Sequence, residues 1–174
     1  QSIADSEVIS RFKQERQILA NLHHPNIAIL HDGGLSEKGE PFLAMEYIEG
    51  KTLIEYCRDN GLTINDRLRL FLKICSAVAY AHRNLVVHRD IKPTNIIVTA
   101  GGEPKLLDFG LAKAFESHPT QTQTAYRAFT PAYASPEQIM GRPVSTAPDQ
   151  YSLGVVLFEL LTGTKPFGLD GMAV

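Results

Sequence analysis

Few features of this sequence point to a membrane, to the cell exterior or to nucleic acid. The chain of 174 residues has only two cysteines, Cys57 and Cys75, whose spacing fits neither a metal site nor a redox motif, so we expect free thiols in a reducing compartment. Its longest apolar run, Leu153–Leu161, is interrupted by Glu159 and is too short to cross a bilayer. No charged-then-apolar signal opens the chain. With a net charge of −2 the sequence lacks a basic excess, and we expect no nucleic-acid partner.

The apolar pattern predicts strands early in the chain and helices later. Residues 6–22 have helical spacing, and Ile27–His31 and Pro41–Ile48 are β-rich segments that predict an antiparallel pair joined by a turn at 32–40. A short helix is predicted at 52–60. Residues 111–130 are polar, rich in threonine and without apolar period, which predicts a mobile segment.

Two longer helices are predicted in the second half. Thr63 and Asp66 have the spacing of a capping box that opens a helix. We predict that its buried stripe consists of Leu68, Phe71, Leu72, Cys75, Val78 and Ala79. A second helix is predicted at 147–162, where Pro148 is tolerated in the first turn and Gly163 ends the helix.

The chemistry is concentrated in His88-Arg-Asp-Ile-Lys-Pro-Thr-Asn95 and in the Asp-Phe-Gly sequence that begins at Asp108. Strand-like segments at 95–99 and 104–108 predict a hairpin that brings Asn95 and Asp108 to one edge. Their oxygen atoms suit Mg²⁺, a hard cation that takes few protein ligands and bridges phosphates. Asp90 can then face an incoming hydroxyl.

This pair of motifs, in this order and spacing, resembles the catalytic loop and metal motif of the eukaryotic-type serine/threonine protein kinases. The amino-acid sequence of several segments resembles bacterial members of that family. The resemblance implies an α+β, two-lobe kinase fold that is truncated at both ends. Residues 1–48 would form the remainder of the N-lobe and the hinge, and 49–174 the C-lobe through helix F. The implied activity is transfer of the γ-phosphoryl group of ATP to serine or threonine hydroxyls of proteins.

The resemblance also implies roles for individual residues. A carboxylate of ordinary pKa, about 4, cannot remove a proton from a ground-state alcohol, but Asp90 can orient the hydroxyl and accept its proton late. Lys92 would neutralise charge on the phosphoryl group, and Asn95 and Asp108 would hold Mg²⁺, with Mn²⁺ possible. Glu15 matches the helix C glutamate, which pairs with a lysine outside this chain.

Further roles concern nucleotide binding and packing. Met45 would be the gatekeeper, the backbone groups of Glu46 and Ile48 would bind adenine, and Ile97 and Leu107 would form its apolar floor. An internal apolar spine would consist of Leu19, Leu30, His88 and Phe109. His88 would then be a packing residue, and the other histidines (23, 24, 31, 82 and 118) are expected to be ordinary.

The segment before the second long helix resembles the activation segment and the substrate-docking loop, the latter at 129–137. Thr130 would hydrogen-bond Asp90 and Lys92, and Asp149 would anchor the catalytic-loop backbone. Arg89 before the catalytic aspartate implies regulation by phosphorylation of the activation segment. The candidate sites are Thr122 and Thr124, then Thr120, and self-association would allow phosphorylation between copies.

The family's glycine-rich loop, strand lysine and last helices have no counterpart in this sequence. We therefore expect the 174-residue chain alone to be poorly stable and inactive, since Glu15 and Glu137 would lack their partners. A cytoplasmic location is expected, with a membrane tether of the whole protein left open. Two other functions also stay open: a pseudokinase acting as a regulatory binding module, and a small-molecule phosphotransferase of the kinase-like fold.

Overall fold

The computed structural model describes residues 18–37, 41–109, 131–142 and 145–167. Of the helix predicted at 6–22, residues 18–20 are helical and the part before residue 18 lies outside the described residues. Strand β1 (Leu30–Leu35) pairs antiparallel with β2 (Pro41–Met45). The pairing confirms the sequence prediction, but the first strand lies later in the chain than expected.

The displaced strand has a physical reason in the hydrogen bonds of residues 26–28. The Ala28 N–H donates to the Leu106 carbonyl (3.0 Å), and the Leu106 N–H donates to the Asn26 carbonyl (2.9 Å). These residues therefore pair with a distant strand. Gly33 and Gly34 lie in β1 and not in the predicted turn at 32–40.

A second, three-stranded antiparallel sheet has the order β3 (Gly50–Thr52), β4 (Ile96–Thr99), β5 (Pro104–Leu106). The β4–β5 hairpin confirms the sequence prediction, and in its register Ile96 lies opposite Leu106. A side chain at Gly50 would collide with the carbonyl oxygen of Val98, so the close approach of β3 to β4 requires glycine.

Helix α1 (Leu53–Asp59) and the long helix α2 (Ile64–Arg83) follow β3. The Thr63 hydroxyl accepts a hydrogen bond from the Asp66 N–H (3.2 Å), which confirms the predicted start of α2. The prediction of its buried stripe was wrong in part, since Leu68 is half-buried, Ala79 is exposed and Leu72 is 67% exposed. The residues that are buried are Leu70, Phe71, Ile74, Ala77, Val78 and Ala81.

A short helix, α3 (Pro136–Ile139), precedes helix α4 (Ala147–Thr162), which has the bounds the sequence predicts. Gly163 ends α4 in the left-handed conformation, with φ at 76°, where glycine has no steric penalty. The Arg67 guanidinium donates to the Leu160 carbonyl (2.7 Å) and so ties the end of α4 to α2.

One hydrophobic core joins the sheet, α1, α2 and α4, and both cysteines pack in it or against it as free thiols, as expected. Burial raises the pKa of the Cys57 and Cys75 thiols, which makes them poor nucleophiles. Within the described part of the chain, every helix is too short or too polar to cross a membrane.

The buried and exposed faces of α2 predict different effects of substitution on the free energy of unfolding. Ile74 is 1% exposed, so Ile74→Ala should lower the free energy of unfolding of the folded domain that contains this chain by about 2–5 kcal/mol, through lost apolar burial and a cavity. Leu72→Ala, on the exposed face of the same helix, is the matched control and should change it by no more than about 0.5 kcal/mol. Urea unfolding measures both, and equal losses would contradict the burial described above.

Candidate active site

The β4–β5 hairpin brings the two motifs together. A 3₁₀ turn at Pro93–Asn95 leads directly into β4, and β5 ends two residues before Asp108. The Asn95 carbonyl accepts a hydrogen bond from the Leu107 N–H (2.8 Å). Asn95 and the residue before Asp108 are therefore in backbone contact, as the predicted hairpin requires.

Asp90, Lys92 and Asn95 form one hydrogen-bonded cluster. The Lys92 ammonium lies 2.8 Å from Asp90 Oδ2. The Asn95 side-chain amide donates both to Asp90 Oδ2 (3.1 Å) and to the Asp90 carbonyl (2.9 Å). Because the amide nitrogen of Asn95 faces Asp90, its carbonyl oxygen is turned away from Asp90 and can serve as a ligand.

The carboxylate of Asp149, at the start of α4, holds the backbone of the loop 88–95. Its two oxygens accept hydrogen bonds from the N–H groups of His88 (2.8 Å) and Arg89 (2.7 Å). The His82 ring on α2 contacts the same carboxylate at 2.8 Å. Asp149 is 1% exposed, so its burial depends on these donors.

The His88 ring is buried and has the contacts of a neutral imidazole. Its Nε2–H donates to the Leu107 carbonyl (2.7 Å), and its Nδ1 accepts from the Asp90 N–H (3.2 Å). Burial lowers the pKa of His88, against the opposing influence of the Asp149 carboxylate. The ring also packs on Phe109, with centroids 4.7 Å apart. These contacts agree with a packing role and not with proton transfer.

Two residues beside this cluster have left-handed backbone conformations that favour glycine. Arg89 has φ at 69° and Asp108 has φ at 54°. Such a conformation costs about 1–2 kcal/mol for a residue with a Cβ, and it persists only where the surroundings hold it. The chain therefore turns sharply before Asp90 and again at Asp108.

An apolar cavity of about 30 Å³ lies between residues 19–30, β2 and the Asp108 turn. Of the residues expected in the apolar spine, Leu19, Leu30 and Phe109 line this cavity. Met45, the expected gatekeeper, lines it as well. The lining is completed by Leu22, Ile27, Ala28, Leu43 and Asp108.

The segment after β2, where adenine contacts are expected, is held by Glu46. Its N–H donates to the Ile29 carbonyl (2.8 Å), and its carboxylate contacts Lys105 of β5 (3.0 Å). Burial alone would raise the pKa of the Glu46 carboxyl, but the Ile29 N–H and Lys105 outweigh it, so the pKa lies below its ordinary value. The side chains of Ile48, Ile97 and Leu107 are half-buried.

Helix α3 contacts the loop 88–95 through Gln138. Ser135 and Gln138 form a capping box at the start of α3. The Gln138 amide nitrogen also donates to the Arg89 carbonyl (2.8 Å). Beside it, the Tyr133 hydroxyl donates to the Glu159 carboxylate of α4 (2.6 Å), so the 131–138 segment rests on α4 as well as on the loop.

Sequence reasoning missed three of these contacts. His82 was expected to be ordinary, and Lys105 and Gln138 were not singled out. For Gln138 a signal was available in the Ser-x-x-Gln spacing of a capping box. Five expected site residues lie outside the described residues: Glu15, Thr120, Thr122, Thr124 and Thr130.

Comparison with known proteins agrees with this fold. A family model described as protein kinase domain matches residues 1–173, and the chain belongs to that family. Serine/threonine-protein kinase PrkC of Bacillus subtilis is 46% identical over 164 residues, covering 94% of this chain and 25% of that protein. Serine/threonine-protein kinase PknB of Mycobacterium leprae is 38% identical over 167 residues, covering 94% and 27%. PknB of Mycobacterium tuberculosis is 39% identical over 171 residues, covering 95% and 27%. The chain thus spans about a quarter of the length of these relatives.

The lowered pKa of His88 predicts a pH dependence of stability. As pH falls below about 6.5, the imidazole of the unfolded chain binds a proton before the buried one does, so stability is full above that pH and is lost below it. Between pH 7.5 and 5.5 the free energy of unfolding of the wild type should fall by about 1 kcal/mol more than that of His88→Phe. This difference does not depend on the variant's stability at pH 7.5.

Urea unfolding of the folded domain that contains this chain, at the two pH values, measures this difference. His23→Phe, at an exposed position, is the matched control and should keep the wild-type loss. A His88→Phe variant with the same pH dependence as wild type would show that His88 takes up a proton as readily in the folded state as in the unfolded one.

Proposed function

We propose that this chain forms the core of an ATP-dependent serine/threonine protein kinase. The observation that carries the proposal is the hydrogen-bonded cluster of Asp90, Lys92 and Asn95 beside Asp108. These four side chains supply the groups that phosphoryl transfer needs. Asp90 is a proton acceptor, Lys92 is a cation, and Asn95 and Asp108 offer two oxygen ligands.

In the proposed reaction Asp90 accepts a hydrogen bond from the serine or threonine hydroxyl of a protein substrate. The hydroxyl oxygen forms a bond to the γ-phosphorus while the bond from that phosphorus to the ADP oxygen breaks. The hydroxyl proton passes to Asp90 late in the step, when bond formation has made it acidic. Lys92, 2.8 Å from Asp90, balances the charge on the transferring group.

The oxygens of Asn95 and Asp108 fit a cation that takes few protein ligands. The amide nitrogen of Asn95 donates to Asp90, which leaves its oxygen for a ligand role, and Asp108 is exposed. Among the described residues no group of three or more His, Cys, Asp or Glu could form a dedicated metal cage. Amide and carboxylate oxygens suit Mg²⁺, with Mn²⁺ as a substitute, and a bound cation would neutralise charge on the ATP phosphates.

Adenine would bind along the segment after β2. Because the Glu46 N–H donates to Ile29, we assign the adenine contacts to the Glu46 carbonyl and to the backbone of Ile48. Met45 would lie at the back of the site. Ile97 and Leu107, both half-buried on the neighbouring hairpin, would pack against the ring.

The finer parts of the proposal concern regulation and substrate choice. Thr130 would hydrogen-bond Asp90 and Lys92 and favour a serine or threonine acceptor, and Glu15 would orient a lysine that binds ATP. Phosphorylation at Thr122 or Thr124, or at Thr120, would balance the charge of Arg89, and two copies would associate for this step. The proposed location of this catalytic region is the cytoplasm.

Variants of the two carboxylates test the function. In the full-length protein with Mg²⁺ and labelled ATP, Asp90→Asn should lower phosphorylation at least about 100-fold, because the proton acceptor and its ion pair with Lys92 are lost. Nucleotide should still bind, since the residues proposed to hold it are unchanged. Asp108→Asn should weaken Mg²⁺-dependent nucleotide binding as well. Asp59→Asn, which removes an exposed carboxylate of α1, is the matched control and should retain activity.

Phosphate incorporation is measured by scintillation counting and located by mass spectrometry. Label on Thr122 or Thr124 that disappears in Asp90→Asn is the expected result. Nucleotide binding without any transfer, to the protein itself or to generic substrates, would contradict the proposal and favour a pseudokinase.

A further inference from the structure

The three successive peptide groups around Arg89 and Asp90 are each held by a hydrogen bond. The N–H of Arg89 donates to Asp149 (2.7 Å), and the N–H of Asp90 donates to the His88 ring (3.2 Å). The Asp90 carbonyl accepts from the Asn95 amide (2.9 Å). The orientation of these peptide planes sets the direction in which the Asp90 side chain points.

Gln138 adds the fourth contact, and it is directed at the strained residue. Its amide nitrogen donates to the Arg89 carbonyl at 2.8 Å. Together with Asp149, which holds the Arg89 N–H, Gln138 thereby fixes the two peptide planes on either side of the Arg89 Cα. Those two planes define φ and ψ of Arg89, whose φ of 69° is unfavourable for a residue with a side chain.

Glutamine suits this position because both halves of its amide are used. The amide oxygen accepts from the Ser135 N–H (3.1 Å) at the start of α3, while the amide nitrogen donates to Arg89. A glutamate could keep the first contact but not the second, because an ionised carboxylate has no proton to donate. A lysine could keep the second but not the first.

We propose that Gln138 is a positioning residue for Asp90: it holds the Arg89–Asp90 peptide in its strained orientation and so couples helix α3 to the 88–95 loop. The inference rests on the proposed kinase function, since it names a further residue of the same site. Gln138 touches no reacting atom in this scheme and acts through Arg89.

The test separates the donor half of the amide from the acceptor half. Gln138→Glu, Gln138→Lys and the wild type are compared in the full-length protein by kcat, by KM for ATP and for a peptide substrate, and by amide hydrogen exchange of peptides that cover residues 88–95. Gln150→Glu, which adds the same charge at an exposed position of α4, is the matched control.

We expect Gln138→Glu to lower kcat about tenfold with KM for ATP within about twofold, because a misplaced Asp90 affects the transition state and not nucleotide binding. Hydrogen exchange in the loop should be faster. Gln138→Lys should keep kcat within about threefold of wild type and keep loop protection, although its α3 cap is lost. Gln150→Glu should match wild type in both measurements.

A merely structural role as a helix cap predicts the reverse order, with Gln138→Lys the more impaired variant, and that result would overturn the proposal. So would an unchanged kcat and unchanged exchange in Gln138→Glu. If the wild type itself transfers no phosphate, the kinase function fails, and the exchange rates of the 88–95 peptides alone decide whether Gln138 holds the loop.

Discussion

The buried carboxylate of Asp149 is the interaction on which the geometry of the candidate site depends. A carboxylate that is 1% exposed loses its hydration and needs donors in return, and here the donors are two N–H groups of the 88–95 loop and the His82 ring. Because His82 lies on α2 and Asp149 on α4, the same group joins these two helices to the loop. The packing of these helices is therefore also what places the residue before Asp90.

Around this carboxylate, backbone strain and hydrogen bonding offset each other. Arg89 and Asp108 adopt left-handed conformations, and each lies next to a peptide group that is held by a long-range contact. Arg89 is held by Asp149 and Gln138. Leu107, the residue before Asp108, donates its N–H to Asn95 and accepts at its carbonyl from His88. The two left-handed residues turn the chain sharply just before Asp90 and at Asp108.

Much of the fold was predictable because its signals are local. The Thr63 cap, the bounds of α4 and the Gly163 stop follow from residues within a turn of one another, and the β4–β5 hairpin follows from two short apolar runs. The buried face of α2 was wrong in part, because periodicity alone does not say which neighbouring stripe meets α4 and β5; Leu72 and Ile74 are both apolar, and only packing decides that Ile74 is buried. The start of β1 was misplaced because residues 26–28 pair with β5, a partner far away in sequence.

The candidate site also combines residues with local sequence signals and residues whose contacts are distant in sequence. The cluster of Asp90, Lys92 and Asn95 has a signal in its sequence spacing, and the β4–β5 hairpin brings Asn95 into contact with the residue before Asp108. Gln138 and His82 have no spacing signal for their contacts at the loop, because the partners are distant in sequence. Gln138 lies 49 residues from Arg89, and His82 lies 67 residues from Asp149. In the proposed mechanism the motif residues supply the chemistry, and the long-range donors and acceptors hold the backbone that carries them. Possession of the motif is therefore a weaker criterion for activity than possession of the motif together with the residues that hold its backbone, and in this chain Asp149, His82 and Gln138 are all present and in contact.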